Sequence, residues 1–172
     1  AHVILAAGQG TRMRSRLPKV LHPLLGKPML LYALEAALAL KPERLVVVVG
    51  HGGEKVVEAL EGYPVEVAWQ KEQLGTAHAL LQAEGLLRDF PGPFLVTQGD
   101  TPLLSPRTLE ALLRRVREGA GMALLTAELP DPTGYGRILR EGEEVLGNVE
   151  EKDAPPEVRA IREVNAGAYA FD

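Results

Sequence analysis

Short apolar runs alternate with stretches of helical period along the first 130 residues. Residues 2–7 form one such run and stop at Gly8, residues 44–49 carry Val46, Val47, Val48 and Val49 and stop at Gly50, and residues 94–97 stop at Gln98-Gly99. Runs this short and this apolar predict strands buried on both faces. Residues 65–69 and 122–126 predict two more strands. Between them lie the predicted helices. Residues 29–40 are nearly all apolar and are entered through Pro28. Residues 54–60 turn Val56, Val57 and Leu60 inward, and residues 76–87 put Leu80, Leu81 and Leu87 on one side. Residues 106–117 give the clearest helix. Ser105 is an N-cap, Pro106 takes the first helical position, and Leu109, Leu112, Leu113 and Val116 follow the i, i+3, i+4, i+7 rule.

After Pro130 the rhythm changes. Residues 137–140, 144–149 and 164–171 predict strands joined by turns, and residues 153–160 a flexible surface loop. The alternation implies an α/β, Rossmann-like fold: a mostly parallel sheet with helices on both faces, and antiparallel strands added near the C-terminal end. A chain of 172 residues suits one domain, expected to span 1–172.

Composition narrows the chemistry. Cysteine is absent, which excludes disulfides, thiolate metal sites and cysteine nucleophiles, and fits a reducing compartment. No apolar run is long enough to span a bilayer, and the apolar start is too short for a secretory signal, so a cytoplasmic location and no membrane partner are expected. The net charge of −4 argues against general nucleic-acid binding. Yet residues 1–34 carry Arg12, Arg14, Arg16, Lys19 and Lys27 and no acid, while residues 141–153 carry Glu141, Glu143, Glu144, Glu150, Glu151 and Asp153. A local cationic stretch on an acidic protein suits a small anion.

Four segments carry candidate chemistry. In the first, Leu5-Ala6-Ala7-Gly8-Gln9-Gly10-Thr11-Arg12-Met13 with Leu17-Pro18-Lys19 follows the first strand, where open α/β sheets bind ligands. Small residues let backbone amides approach a phosphate, and Arg12 and Lys19 neutralise its oxygens. A dinucleotide fingerprint fails at Met13 and at Gly50-His51, and a phosphate loop of the Walker type fails at Leu21 and Pro28. An ordinary glycine turn with surface arginines also fits.

In the second, Gln70 follows a strand and its amide both donates and accepts, which suits the edge of a base. Gly75 permits close approach and Thr76 caps the next helix, although a plain loop and cap explain these residues as well. In the third, Asp100 in Gly99-Asp100-Thr101-Pro102-Leu103 offers a hard carboxylate for Mg²⁺ beyond a buried strand, or is a simple turn aspartate. In the fourth, Gly134 and Gly136 flank Tyr135 in a turn suited to a sugar, with Glu150 and Asn165 as polar partners, or they form a plain hairpin with a solvated acid and an edge amide. His22, His51 and His78 show no ligand spacing, and Trp69 reads as core.

Taken together, L-A-A-G-Q-G-T-R-M with L-P-K, Q-x-x-Q-L-G-T-A-H-A, G-D-T-P-L, D-P-T-G-Y-G-R-I, V-E-E-K-D-A and E-V-N-A-G closely resemble the N-terminal uridyltransferase (pyrophosphorylase) domain of the bacterial bifunctional GlmU family, in order and over essentially the whole chain. The resemblance implies a nucleotidyltransferase fold and UMP transfer from UTP to N-acetylglucosamine-1-phosphate, with Mg²⁺. It implies that Leu5, Ala6, Ala7, Gly8 and Gly10 hold the nucleotide through the main chain, and that Gln70, Gly75 and Thr76 read uracil. Arg12 and Lys19 would be catalytic, Asp100 would bind the metal, and Gly136, Glu150 and Asn165 would bind the sugar phosphate. Thymidylyl or guanylyl transfer, or a non-catalytic nucleotide-sugar binding module, are the alternatives. Ala166 stands where a threonine is common, and Gln98 where some relatives have tyrosine. The family's domain continues beyond Asp172 and supplies a second metal ligand, an asparagine, so the chain is expected to be truncated at its C-terminal end. The family's left-handed β-helix acetyltransferase domain has no counterpart here. A monomer is expected for the chain as given, and a homotrimer only with that β-helix.

Overall fold

A computed structural model describes residues 1–10 and 13–172. These form two compact units, one of Ala1–Ala123 with Ala170–Asp172 and one of Leu124–Tyr169.

The first unit is built on parallel strands. β1 (His2–Ala6), β4 (Leu45–Val49), β5 (Glu66–Trp69) and β6 (Phe94–Gln98) run in the order β5-β4-β1-β6. Register carries Ala6 opposite Val49, Val49 opposite Trp69, and Leu5 opposite Gln98, so the four strands finish along one edge. β1 and β4 are buried on both faces, as their unbroken apolar runs require. One face carries Ile4, Ala6, Val47 and Val49 and packs on Leu30 and Leu34 of α1 (Met29–Ala39) and on Val56 and Leu60 at α2 (Glu54–Ala59). α1 has no side-chain cap, so burial holds it: Leu30 and Leu34 are fully buried, each contributing about 1.5–3 kcal/mol. The opposite face of β1 receives α3 (Thr76–Leu81) through Ala79. α5 (Pro106–Arg117) is as the periodicity predicts: Thr108 N–H donates to Ser105 Oγ at 3.2 Å, Pro106 opens the helix, and Leu109, Leu112, Leu113 and Val116 are buried.

The second unit is antiparallel. β8 (Arg137–Glu141) pairs with β9 (Glu144–Val149) and with β10 (Glu163–Phe171), and β7 (Met122–Glu128) also pairs with β10.

Several expectations are corrected. The helix over 76–87 is two pieces, α3 and α4 (Glu84–Leu87). Tight turns close Gln82 N–H onto Ala79 O and Ala83 N–H onto Leu80 O, and the small Ala79 and Ala83 point inward while Leu81 is exposed. Thr76 does not cap α3; Gly75, at φ +102°, holds the N-cap position and Thr76 is the first helical residue. Trp69 is 42% exposed, because it ends the edge strand β5 with its ring against Gly53. Residues 153–160 are not a plain loop: Pro156–Arg159 form a helical turn, α6, with proline at its start. A two-residue hairpin, β2 (Pro23–Leu24) with β3 (Lys27–Pro28), was not legible, since its turn places Leu25 at φ +50°, which a leucine seldom adopts.

Candidate functional site

Because β1, β4, β5 and β6 are parallel and end in register, the loops that leave them share one edge of the sheet. Ala7-Gly8 follows β1, Gly50 follows β4, Gln70 follows β5 and Gly99-Asp100 follows β6. Gln70 N–H donates to Val49 O at 2.8 Å and Gly99 N–H to Leu5 O at 2.8 Å, which ties the loop starts to the sheet.

The charged centre of this edge is an ion pair. Lys19 opens a short 3-10 helix (Lys19–Leu21), and its Nζ lies 2.6 Å from Asp100 Oδ2. The two side chains are 40% and 29% exposed, so water reaches both. Gly10 sits against the lysine stem: its φ is +60°, and a Cβ there would come within 2.6 Å of Lys19 Cβ. Only glycine satisfies both the left-handed backbone and that approach. The expectation for Arg12 concerns a residue outside those described.

Leu5, Ala7, Gly8, Gln70, Gly75 and Thr76 line one cleft of about 190 Å³. Six of the eight residues expected to hold the nucleotide therefore come together. Ala6 is committed to the sheet opposite Val49, and Gly10 to Lys19. Gln73, Ala79 and Gln98 complete the lining. Gln73 was carried in the motif without a role. Its Nε2 donates to Ala7 O at 2.6 Å and ties the loop after β5 to the glycine loop. Gln70 is 3% exposed, and its Nε2 lies 3.2 Å from Gly75 O and 3.0 Å from His78 Nδ1.

In the second unit, strand register gathers the remaining three residues. Asn165 N–H donates to Gly136 O at 3.0 Å, and Asn148 packs tightly against Gly136 while its Nδ2 donates to Glu150 Oε1 at 3.0 Å. Asn148 was missed, since a lone amide in a strand of mixed polarity gives no signal. Asn165 uses both ends of its amide within its own strand: Nδ2 donates to Tyr169 Oη at 2.7 Å, and Oδ1 accepts from Gly167 N–H at 2.8 Å. The glycine–tyrosine turn is held by a buried cation. Arg137 is 2% exposed, pairs with Glu151 at 2.9 Å and donates to the carbonyls of Tyr135 and Arg159. Glu151 also accepts from Gly134 N–H at 2.7 Å. These two hydrogen bonds, the backbone one first, hold the Glu151 carboxyl below its ordinary pKa.

Among the described residues no three His, Asp or Glu side chains gather as a metal cluster. A single carboxylate still suits Mg²⁺, which takes the rest of its shell from phosphate oxygens and water. Asp100 fits that role, with one oxygen on Lys19 and the side chain partly open to solvent.

Residues 2–157 match the model of the MobA-like NTP transferase domain, over nine-tenths of the chain. The chain belongs to that family. This NTP transferase domain is 55% identical to the bifunctional protein GlmU of Syntrophotalea carbinolica over 173 residues, covering 100% of the chain and 37% of that protein. It is 53% identical to the bifunctional protein GlmU of Pelotomaculum thermopropionicum, covering 100% of the chain and 38% of that protein. The chain thus spans little more than a third of the length of these relatives. In fold, the domain superposes on an apo UDP-glucose pyrophosphorylase with TM-score 0.79 at 21% identity, covering 99% of this chain and 76% of that one. A UDP-glucose pyrophosphorylase complexed with UDP-glucose gives TM-score 0.77 at 22% identity, covering 99% and 75%. Both the mostly parallel sheet flanked by helices and the later antiparallel strands are therefore as expected. Among the described residues no helix is long and apolar enough to cross a membrane.

Proposed function

We propose that this NTP transferase domain transfers UMP from UTP to N-acetylglucosamine-1-phosphate, giving UDP-N-acetylglucosamine and pyrophosphate. The observation that carries the reading is the convergence on one sheet edge of a base-sized cleft and the Lys19–Asp100 pair. Identity above 50% to proteins named GlmU supports it.

A phosphate oxygen of the sugar-1-phosphate forms a bond to the α-phosphorus of UTP as the α–β bridging bond breaks and pyrophosphate departs. The attacking oxygen is anionic at neutral pH, so no general base is required. Catalysis is positioning and charge stabilisation. Lys19, with Arg12, neutralises charge on the equatorial and leaving oxygens. Asp100 would hold a magnesium ion, which would supply Lewis-acid charge neutralisation when bound. Gly136, Glu150 and Asn165, with Asn148 beside them, hold the sugar phosphate. The reading carries a cytoplasmic location with it.

The test is pyrophosphate release from UTP, N-acetylglucosamine-1-phosphate and Mg²⁺ by this chain and by one extended at its C-terminus. Release by the extended chain supports the reading. Silence from both with UTP still bound replaces it with a binding module, and release only with another nucleotide or sugar replaces the substrate. Gly10→Ala in the active form is expected to lose about 100-fold in turnover, because the new Cβ displaces Lys19. Wild-type turnover in that variant removes Lys19 from the chemistry.

A further inference from the structure

Gln70 is nearly buried, and its amide orientation decides what it offers to the cleft. The group facing Gly75 O must be a donor, because a carbonyl only accepts. The Gln70 nitrogen therefore faces Gly75, at 3.2 Å, and the same nitrogen lies 3.0 Å from His78 Nδ1. With Nδ1 unprotonated, both amide hydrogens are used inside the protein. What remains for a ligand is the carbonyl oxygen, Oε1.

The imidazole must choose between two amides. A neutral ring has one acceptor nitrogen, and Gln82 Nε2 stands 3.3 Å from His78 Nε2. Gln82 has a better partner in His78 O, at 2.9 Å, whereas Gln70 is buried and approaches Nδ1 more closely. The stable arrangement has Nδ1 accepting from Gln70 and the proton on Nε2.

We infer that His78 is a positioning residue for base specificity: it accepts from Gln70 Nε2 and so fixes Gln70 Oε1 as a hydrogen-bond acceptor at the base cleft. An acceptor there selects a base with an imide N–H, as uracil has. Cytosine presents a lone pair at the same ring atom and is refused. His78 itself touches no substrate. The inference rests on the reading of Gln70 as the residue that recognises the base.

Binding constants for UTP and CTP are measured for the wild-type protein and for His78→Leu, His78→Asn and Gln70→Ala. His78→Leu is expected to narrow the UTP-over-CTP preference at least about 10-fold, since the shorter of the two contacts that hold the amide nitrogen inward is lost and only the 3.2 Å contact to Gly75 O resists a turn of the amide. His78→Asn, whose side-chain oxygen can accept in place of Nδ1, is expected to restore most of the preference. An unchanged preference in His78→Leu overturns the inference. If Gln70→Ala also keeps the wild-type preference, the base reading itself fails; if Gln70→Ala loses it and His78→Leu does not, only the role of His78 fails. Nitrogen-15 NMR of the wild-type UTP complex gives a mutation-free check. A proton on His78 Nε2 agrees with the inference, and a proton on Nδ1 overturns it.

Discussion

Replacing Lys19 with methionine is expected to lower turnover about 100- to 1000-fold while leaving the fold intact. The magnitude follows from removing one charge-stabilising donor from a transition state, about 3–4 kcal/mol of barrier. The stability side follows from exposure. A pair whose members are 40% and 29% exposed is screened by water, and its loss costs no more than about 1 kcal/mol. Methionine is chosen because it keeps the Cβ and Cγ on which Gly10 rests, so that the glycine loop keeps its support. Pyrophosphate release and thermal denaturation, measured side by side, separate the two effects. A Lys19→Met protein with full turnover contradicts the mechanism. One that melts far below the wild type shows that the lysine is structural.

The second large effect concerns stability. Arg137→Met is expected to destabilise the unit Leu124–Tyr169 by about 2 kcal/mol, read from the midpoint of urea denaturation. Arg137 is a buried cation whose donors satisfy the carbonyls of Tyr135 and Arg159 and the carboxylate of Glu151. Removing it strands those acceptors. The loss falls short of that for a fully buried pair because Glu151 is one-third exposed and water can replace the arginine there. The turn from Thr133 to Gly136 loses its anchor, so affinity for the sugar phosphate is expected to fall as well. Acid should act on the same anchor. Glu151 titrates below its ordinary value, so its contribution is present above that value and is lost as pH falls through the lowered one. An Arg137→Met protein with an unchanged midpoint would show that the charge is not needed to hold the turn.

The parts of the fold that were legible are those whose pattern is local. Four consecutive valines and the apolar run after His2 require strands covered on both sides, and Ser105-Pro106 with its leucine stripe requires a capped amphipathic helix. The candidate site was legible as a set of strand ends, because parallel strands send their exits to one edge. What stayed hidden depends on packing between distant segments. Whether Trp69 is covered is decided by β5 being an edge strand, and the break between α3 and α4 goes with the burial of Ala79 and Ala83. The link from Gln73 to Ala7 O spans 66 residues, and nothing in either neighbourhood announces it. Asn148 gained its place only when β8 and β9 aligned it beside Gly136.

The half-exposed ring of Trp69 has a practical use. It is the chain's single tryptophan, the residue immediately before Gln70, and it leans on Gly53 at the end of β5. All indole emission from the protein therefore originates at the end of β5, from a ring that water already touches. Neighbouring side chains of a strand point to opposite faces, so the ring reports on the Gly53 side of the sheet edge while Gln70 faces Gly75 and His78, and events in the unit Leu124–Tyr169 have no indole of their own to perturb. The domain carries one built-in optical probe, and it reads the unit of parallel strands alone.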